Sequence, residues 1–215
     1  MTTVKVPHFL LAVMLGASMV VRAASVPTTP VRNIVLVHGA NADGSSWRGV
    51  YDILKNDGYQ VSVVQQPLTG LSADVGESTS QLATSMPGDI PNSDLKLTQD
   101  GFIFIDPNKY PTDVGTDLPA AQAEYMAHSQ MPVAAVAFDA SVTVAAWHDK
   151  PSYGIVATDD RALSPQLAHW MYKRSGAKVT EIKANHLVYV SQPRRVAGVI
   201  EAAARSAAEN GARVP

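Results

Sequence analysis

Residues 33–64 carry a strand, a helix and a second strand in about thirty residues, which is the length of a βαβ unit. Asn33-Ile-Val-Leu-Val37 is a continuous apolar run, and its lack of polar alternation suits a strand buried on both faces, as in a parallel sheet. Ser45 or Ser46 can cap a helix whose apolar positions Trp47, Val50, Tyr51 and Leu54 fall at i, i+3, i+4 and i+7. Gly58 suits the stop, and Tyr59 to Val64 reads as the next strand, closed by Pro67. Two parallel strands joined in this way need a right-handed crossover, so the chain is α/β. The C-terminal third repeats the pattern. Tyr153 to Ala157 is a strand, and Ser164-Pro165 opens a helix with Leu167, Trp170 and Met171 on one face and Gly176 beyond its end. Lys178 to Ile182 is a short strand. Pro193 then opens a last helix with Val196, Val199, Ile200 and Ala203 as its buried stripe.

The middle of the chain departs from this grammar. Gly76 to Asp117 is rich in Pro, Gly, Ser, Thr and Asp, with one hairpin-like segment, Leu95 to Ile105, turning at Asp100-Gly101. Pro119 to His128 and Val133 to Ala137 read as short helices. Residues 76–150 are therefore expected to form an inserted cap rather than more sheet. Residues 1–24 stand outside the fold: Lys5, an apolar run from Val6 to Val21 and the small exit Ala23-Ala24-Ser25 match a secretory signal peptide. The run is shorter than the ~20 residues a spanning helix needs, and it contains Pro7 and His8. The expectation is export to the periplasm or medium, cleavage near Ala23 or Ala24, no stable membrane insertion afterwards, a linker over 25–32 and a domain over 33–215.

Composition removes several function classes. A net charge of −2 offers no basic field to hold nucleic acid. The absence of cysteine excludes disulfide scaffolds, thiolate zinc sites, iron–sulfur clusters and thiol nucleophiles. The six histidines show neither HxH nor HxxxH spacing, so no metal site is expected, and no cofactor either.

Three stretches carry a resemblance. Ile34-Val-Leu-Val-His-Gly-Ala40 followed by Trp47 resembles the first active-site loop of the α/β-hydrolase superfamily, nearest to the small esterases and hydroxynitrile lyases related to methyl-salicylate esterase. Thr158 to Gln166, running into His169-Trp170-Met171, is similar to its acid-bearing turn. Asn185-His186-Leu-Val-Tyr-Val-Ser-Gln-Pro193 is similar to its catalytic-histidine loop. The resemblance implies a serine-type hydrolase acting on a carboxylic ester or similar small molecule. The Ala40 N–H would donate to an oxyanion, and His186 would act as general base. Asp160, which directly precedes Arg161, is preferred over Asp159 as the residue that orients His186. Gly39 and Trp47 would line the binding site, His38 would shape the loop, and Met86, Met126 and Met131 would line the cap.

The superfamily nucleophile sits in G-x-S-x-G on a strand-to-helix elbow, and this sequence contains no such string. Gly70-Leu-Ser72-Ala-Asp74 comes nearest but lacks the second glycine; Ser78 and Ser141 fit no better. Asp74-Val75 runs straight into Gly76-Glu77-Ser78, which resembles the cap entrance. The expectation is an internal deletion at Val75/Gly76 of about 50 residues, given ~30 for one βαβ unit, leaving an incomplete sheet and impaired hydrolysis. Two alternatives stand beside it: a non-catalytic module binding a small apolar ligand, and the non-functional product of a truncated gene.

Overall fold

The computed structural model describes residues 30–68, 94–138 and 145–211. The leader expected at 1–24, the deletion expected at Val75/Gly76, and Met86, Ser72, Ser78 and Ser141 lie outside the described residues. Strands β1 (Asn33–Val37) and β2 (Gln60–Val64) run parallel, paired from Asn33 opposite Gln60 to Val37 opposite Val64. Between them come a 3-10 turn, Gly44–Trp47, and helix α1 (Arg48–Asn56). The cap residue is Asp43 rather than either serine: its Oδ1 accepts the Ser45 N–H at 2.7 Å. Trp47 consequently ends in the turn, one residue ahead of α1. Val50 and Leu54 are the residues α1 buries, and Gly58 follows at φ 87°, where a side chain would be strained.

β1 is buried on one face only. Leu36 is in the core, while Val35 and Val37 are 61% and 44% exposed. Val64, opposite Val37, is exposed on the same face. An all-aliphatic run shows that a strand can be buried twice, but burial also needs an element to cover each face. Here α1 and the last helix pack against Ile34, Leu36, Val61 and Val63, and nothing described covers the other face.

The cap contains more sheet than its composition announces. Strands β3 (Leu95–Leu97), β4 (Phe102–Ile105) and β5 (Val133–Ala134) form an antiparallel three-stranded sheet. The hairpin turns at Asp100-Gly101 as expected, with Gly101 at φ 85°. Val133 to Ala137 is not a helix: it is β5 followed by a 3-10 turn over Ala135–Ala137. Pairing with β4 decides this, since Val133 and Ala134 stand opposite Ile103 and Phe102 and bury both their side chains. Helices α2 (Tyr110–Asp113) and α3 (Ala120–His128) complete the cap, and the Leu68 carbonyl accepts the Ala134 N–H at 2.9 Å, tying it to the exit of β2.

Strands β6 (Tyr153–Ala157) and β7 (Lys178–Ile182) form the second parallel pair, joined by α4 (Pro165–Arg174). Ser164 caps α4, accepting the Leu167 N–H at 3.1 Å. The buried residues of α4 are Leu167 and Ala168, which turns Trp170 outward from the core under the Arg174 guanidinium. Beyond β7 come α5 (Val188–Ser191) and α6 (Pro193–Gly211). α6 buries Val196, Ala197 and Ala204, with Ile200 packed against them, so its stripe is rotated from the expected one and Val199 faces away from α1. The close approach of α1 explains this: a Cβ on Gly49 would lie 3.0 Å from Pro193.

The two parallel pairs are separate two-stranded sheets, not one, among the described residues. They still share a core, in which Leu36, Leu54, Ala157, Ile182, Val196 and Ala197 belong to one buried cluster. Gly154 in β6 is packed flat under Tyr172, and a Cβ there would sit 2.8 Å from three ring atoms. Gly154→Ala must displace that ring, so it should cost about 1–3 kcal/mol and lower Tm by roughly 3–10 °C in a thermal melt. An unchanged Tm would mean the ring is free to move aside.

One contact between α1 and α6 titrates. Burial, together with a hydrogen bond to Asp57, raises the Glu201 carboxyl above its ordinary value, against a weaker pull from Arg205. A carboxyl raised in the folded state stabilises while protonated, and that contribution is lost as pH rises through its folded pKa. Glu201→Gln keeps the hydrogen bond uncharged at every pH. The variant should therefore melt higher than the parent at neutral pH, by on the order of 1–2 °C, and converge with it near pH 4. A gain that persists unchanged to low pH would refute the raised Glu201 carboxyl.

Candidate active site

The acid turn follows β6. Asp160 Oδ1 accepts the N–H groups of Ala162 and Leu163 at 2.8 and 2.9 Å, which fixes the carboxylate by its own turn. Its other oxygen, Oδ2, lies 2.9 Å from His186 Nδ1. Side-chain exposure is 10% for Asp160 and 43% for His186, so the acid is set back and the imidazole stands at the surface. An acceptor at Nδ1 places the ring proton there in neutral histidine and leaves Nε2 able to take a proton. Asp159, the neighbouring alternative, is exposed and is held by its backbone N–H to the Ala184 carbonyl at 3.0 Å.

Asn185, a residue to which the sequence reading gave no role, organises this corner. It is almost fully buried. Its Oδ1 accepts the His186 N–H at 2.6 Å and the Arg161 N–H at 3.3 Å, and its amide donates to Thr116 Oγ1. One side chain thus joins the histidine loop, the acid turn and the cap. Asp117 adds a clamp: its Oδ2 accepts the Asn185 N–H at 3.0 Å and the Ser191 hydroxyl at 2.7 Å. Leu187 buries with Ile105, Tyr110, Val114 and Ala127, so the cap packs directly on the histidine loop. Met126 packs against this cluster. Nothing in the sequence but its place directly before His186 marks Asn185.

The turn after β1 is built around His38 and Asn41. His38 is buried; its Nδ1 donates to the Gly39 carbonyl at 3.0 Å and its Nε2 accepts the Gln66 N–H at 2.9 Å, so it shapes the loop. Gly39 is exposed, and a Cβ there would meet nothing within 4 Å. The left-handed residue is Asn41, at φ 56°. Ala40 is exposed, and its N–H has no acceptor among the described residues, which leaves it available as a donor. Trp47 packs against the main core, and its ring meets that of Tyr189 at 4.6 Å between centroids, three residues beyond His186. Burial raises the Tyr189 phenol above its ordinary value, opposed by the hydrogen bond it shares with the Ser46 side chain. These contacts bind the β1 loop to the histidine loop. Among the described residues no group of histidines and carboxylates could hold a metal ion, and no helix is long and apolar enough to cross a membrane.

The Alpha/beta hydrolase family profile matches residues 82–199, more than half the chain. The chain belongs to the alpha/beta hydrolase family. Three solved structures are similar in fold to this alpha/beta hydrolase. Polyneuridine aldehyde esterase superposes with a TM-score of 0.59 at 15% identity, covering 78% of this chain and 96% of that one. A methylesterase from Arabidopsis gives 0.64 at 13%, covering 82% and 100%. Tomato methylketone synthase I, complexed with 2-tridecanone, gives 0.62 at 15%, covering 81% and 98%. No curated protein sequence matches significantly. The fold is that of an α/β hydrolase whose parallel strands form, among the described residues, two separate pairs.

Proposed function

We propose that this chain is a serine-esterase-type α/β hydrolase that keeps the acid–base half of the catalytic apparatus and lacks the nucleophile, so that it does not turn over esters in this form. The hydrogen bond between His186 and Asp160 carries the reading. In acyl transfer by such a pair, the imidazole Nε2 takes the proton of an attacking hydroxyl, and the carboxylate orients the ring and stabilises the imidazolium. An exposed N–H at Ala40 is what a developing oxyanion needs, but it is one donor of the usual two. The second comes from the residue after the nucleophile, which travels with the G-x-S-x-G elbow. Support for a missing elbow comes from the sequence, which runs from Val75 into Gly76 without it, and from the uncovered face of β1 and β2, where Val35, Val37 and Val64 stand in solvent. The solved structures similar in fold include esterases, which favours a carboxylic ester of a small molecule as the ancestral substrate.

A fluorophosphonate probe should leave the purified full chain unlabelled in intact-mass analysis. Stoichiometric labelling of one serine, such as Ser72, would restore the working-enzyme reading and defeat this one.

A further inference from the structure

An open groove of about 460 Å³ lies between β7 and α6, and neither His186 nor Asp160 lines it. Its walls divide sharply by chemistry. Ile182 from β7 and Val199 and Ala202 from α6 supply an apolar lining, while Lys178, Arg194 and Arg195 supply three cations. Among the described residues no carboxylate lines it, although the chain as a whole is acidic. Among the described residues none of the three cations is ion-paired: Lys178 lies 5.5 Å over the Tyr153 ring, and Arg195 donates to the neutral Gln192 amide at 3.2 Å. Tyr153 lines the same groove, and its buried hydroxyl has no hydrogen-bond partner among the described residues.

The space exists because the rotated stripe of α6 aims Gly198 at β7. A Cβ on Gly198 would meet nothing within 4 Å, so a wedge is left where a larger residue would have filled the contact. A volume of this size falls in the range of small-molecule pockets, and apolar walls with a few convergent polar groups are their usual make-up. Unpaired cations around an apolar lining complement one kind of molecule, an anion on a hydrocarbon chain. We infer that the wedge between β7 and α6 is a binding site for a medium-chain aliphatic carboxylate, separate from the hydrolase site and independent of whether that site is active.

Equilibrium dialysis of the full chain against decanoate, below its micellar concentration, tests this, with inorganic phosphate and decanol as single-feature probes. Decanoate should bind saturably, at one site, and more tightly than either probe by at least tenfold. Gly198→Leu fills the wedge from a helical position where leucine is favoured over glycine, so the variant should melt no lower than the parent. It should lose decanoate binding by tenfold or more. Replacing Arg194 and Arg195 together by glutamine should weaken decanoate severalfold and leave decanol unchanged. The site is refuted if decanoate does not saturate, if phosphate binds as tightly, or if Gly198→Leu, still folded, binds decanoate like the parent.

Discussion

Asn185→Ala should destabilise the fold by about 3 kcal/mol, because it strips the partners from several buried or half-buried polar groups at once. The His186 N–H, the Arg161 N–H and the Thr116 hydroxyl all lose the same side chain. For a domain of this size the loss corresponds to a fall in Tm of roughly 6–12 °C. The effect should be local as well as global. Asn185 fixes the backbone of the residue carrying the imidazole, so the proton resonance of His186 Nδ1–H, sheltered by Asp160 in the parent, should broaden by exchange in the variant at temperatures well below its Tm. A purely structural role would lower Tm and leave that resonance intact. An unchanged Tm would remove Asn185 from the account altogether.

The elements of both parallel pairs were legible because their signals are local. Asn33–Val37, Tyr153–Ala157 and Lys178–Ile182 fall on the expected residues, and Ser164-Pro165, Gly58 and Gly176 stand at helix boundaries. Such signals depend on propensity, capping and turn geometry, which a short stretch carries by itself. What failed depends on which surface meets which. Trp170 looks like core by periodicity, yet α4 rolls so that Ala168 buries and the indole goes to Arg174. The valines of β1 look twice buried, but only one face finds a cover. Val133 reads as helix until β4 offers it a partner strand. At the site, the residues brought together were visible only through resemblance: nothing in their spacing says that Asp160 and His186 meet. Asn185 and Asn41 were missed because their importance lies in burial and backbone conformation, neither of which has a sequence signature here.

Restoring an elbow should have the largest effect of all. If the His186–Asp160 pair, the Ala40 N–H and the cap are a hydrolase site lacking its nucleophile element, then inserting a strand–elbow–helix segment from an esterase of this family between Val75 and Gly76 supplies the serine and the second oxyanion donor together. The inserted strands would also give β1 and β6 the neighbours they lack among the described residues. Intact triads lose on the order of 10⁴–10⁶-fold in kcat when one member is removed, so the gain should be large and should depend on all its parts. The deciding measurement is the rate of short-chain nitrophenyl ester hydrolysis by the graft, compared with the parent and with the graft carrying His186→Ala, Asp160→Asn or alanine at the new serine. The account predicts activity in the graft at least ~10³-fold above the parent and its near-complete loss in each of the three variants. A graft that melts cooperatively and hydrolyses no faster than the parent would contradict it.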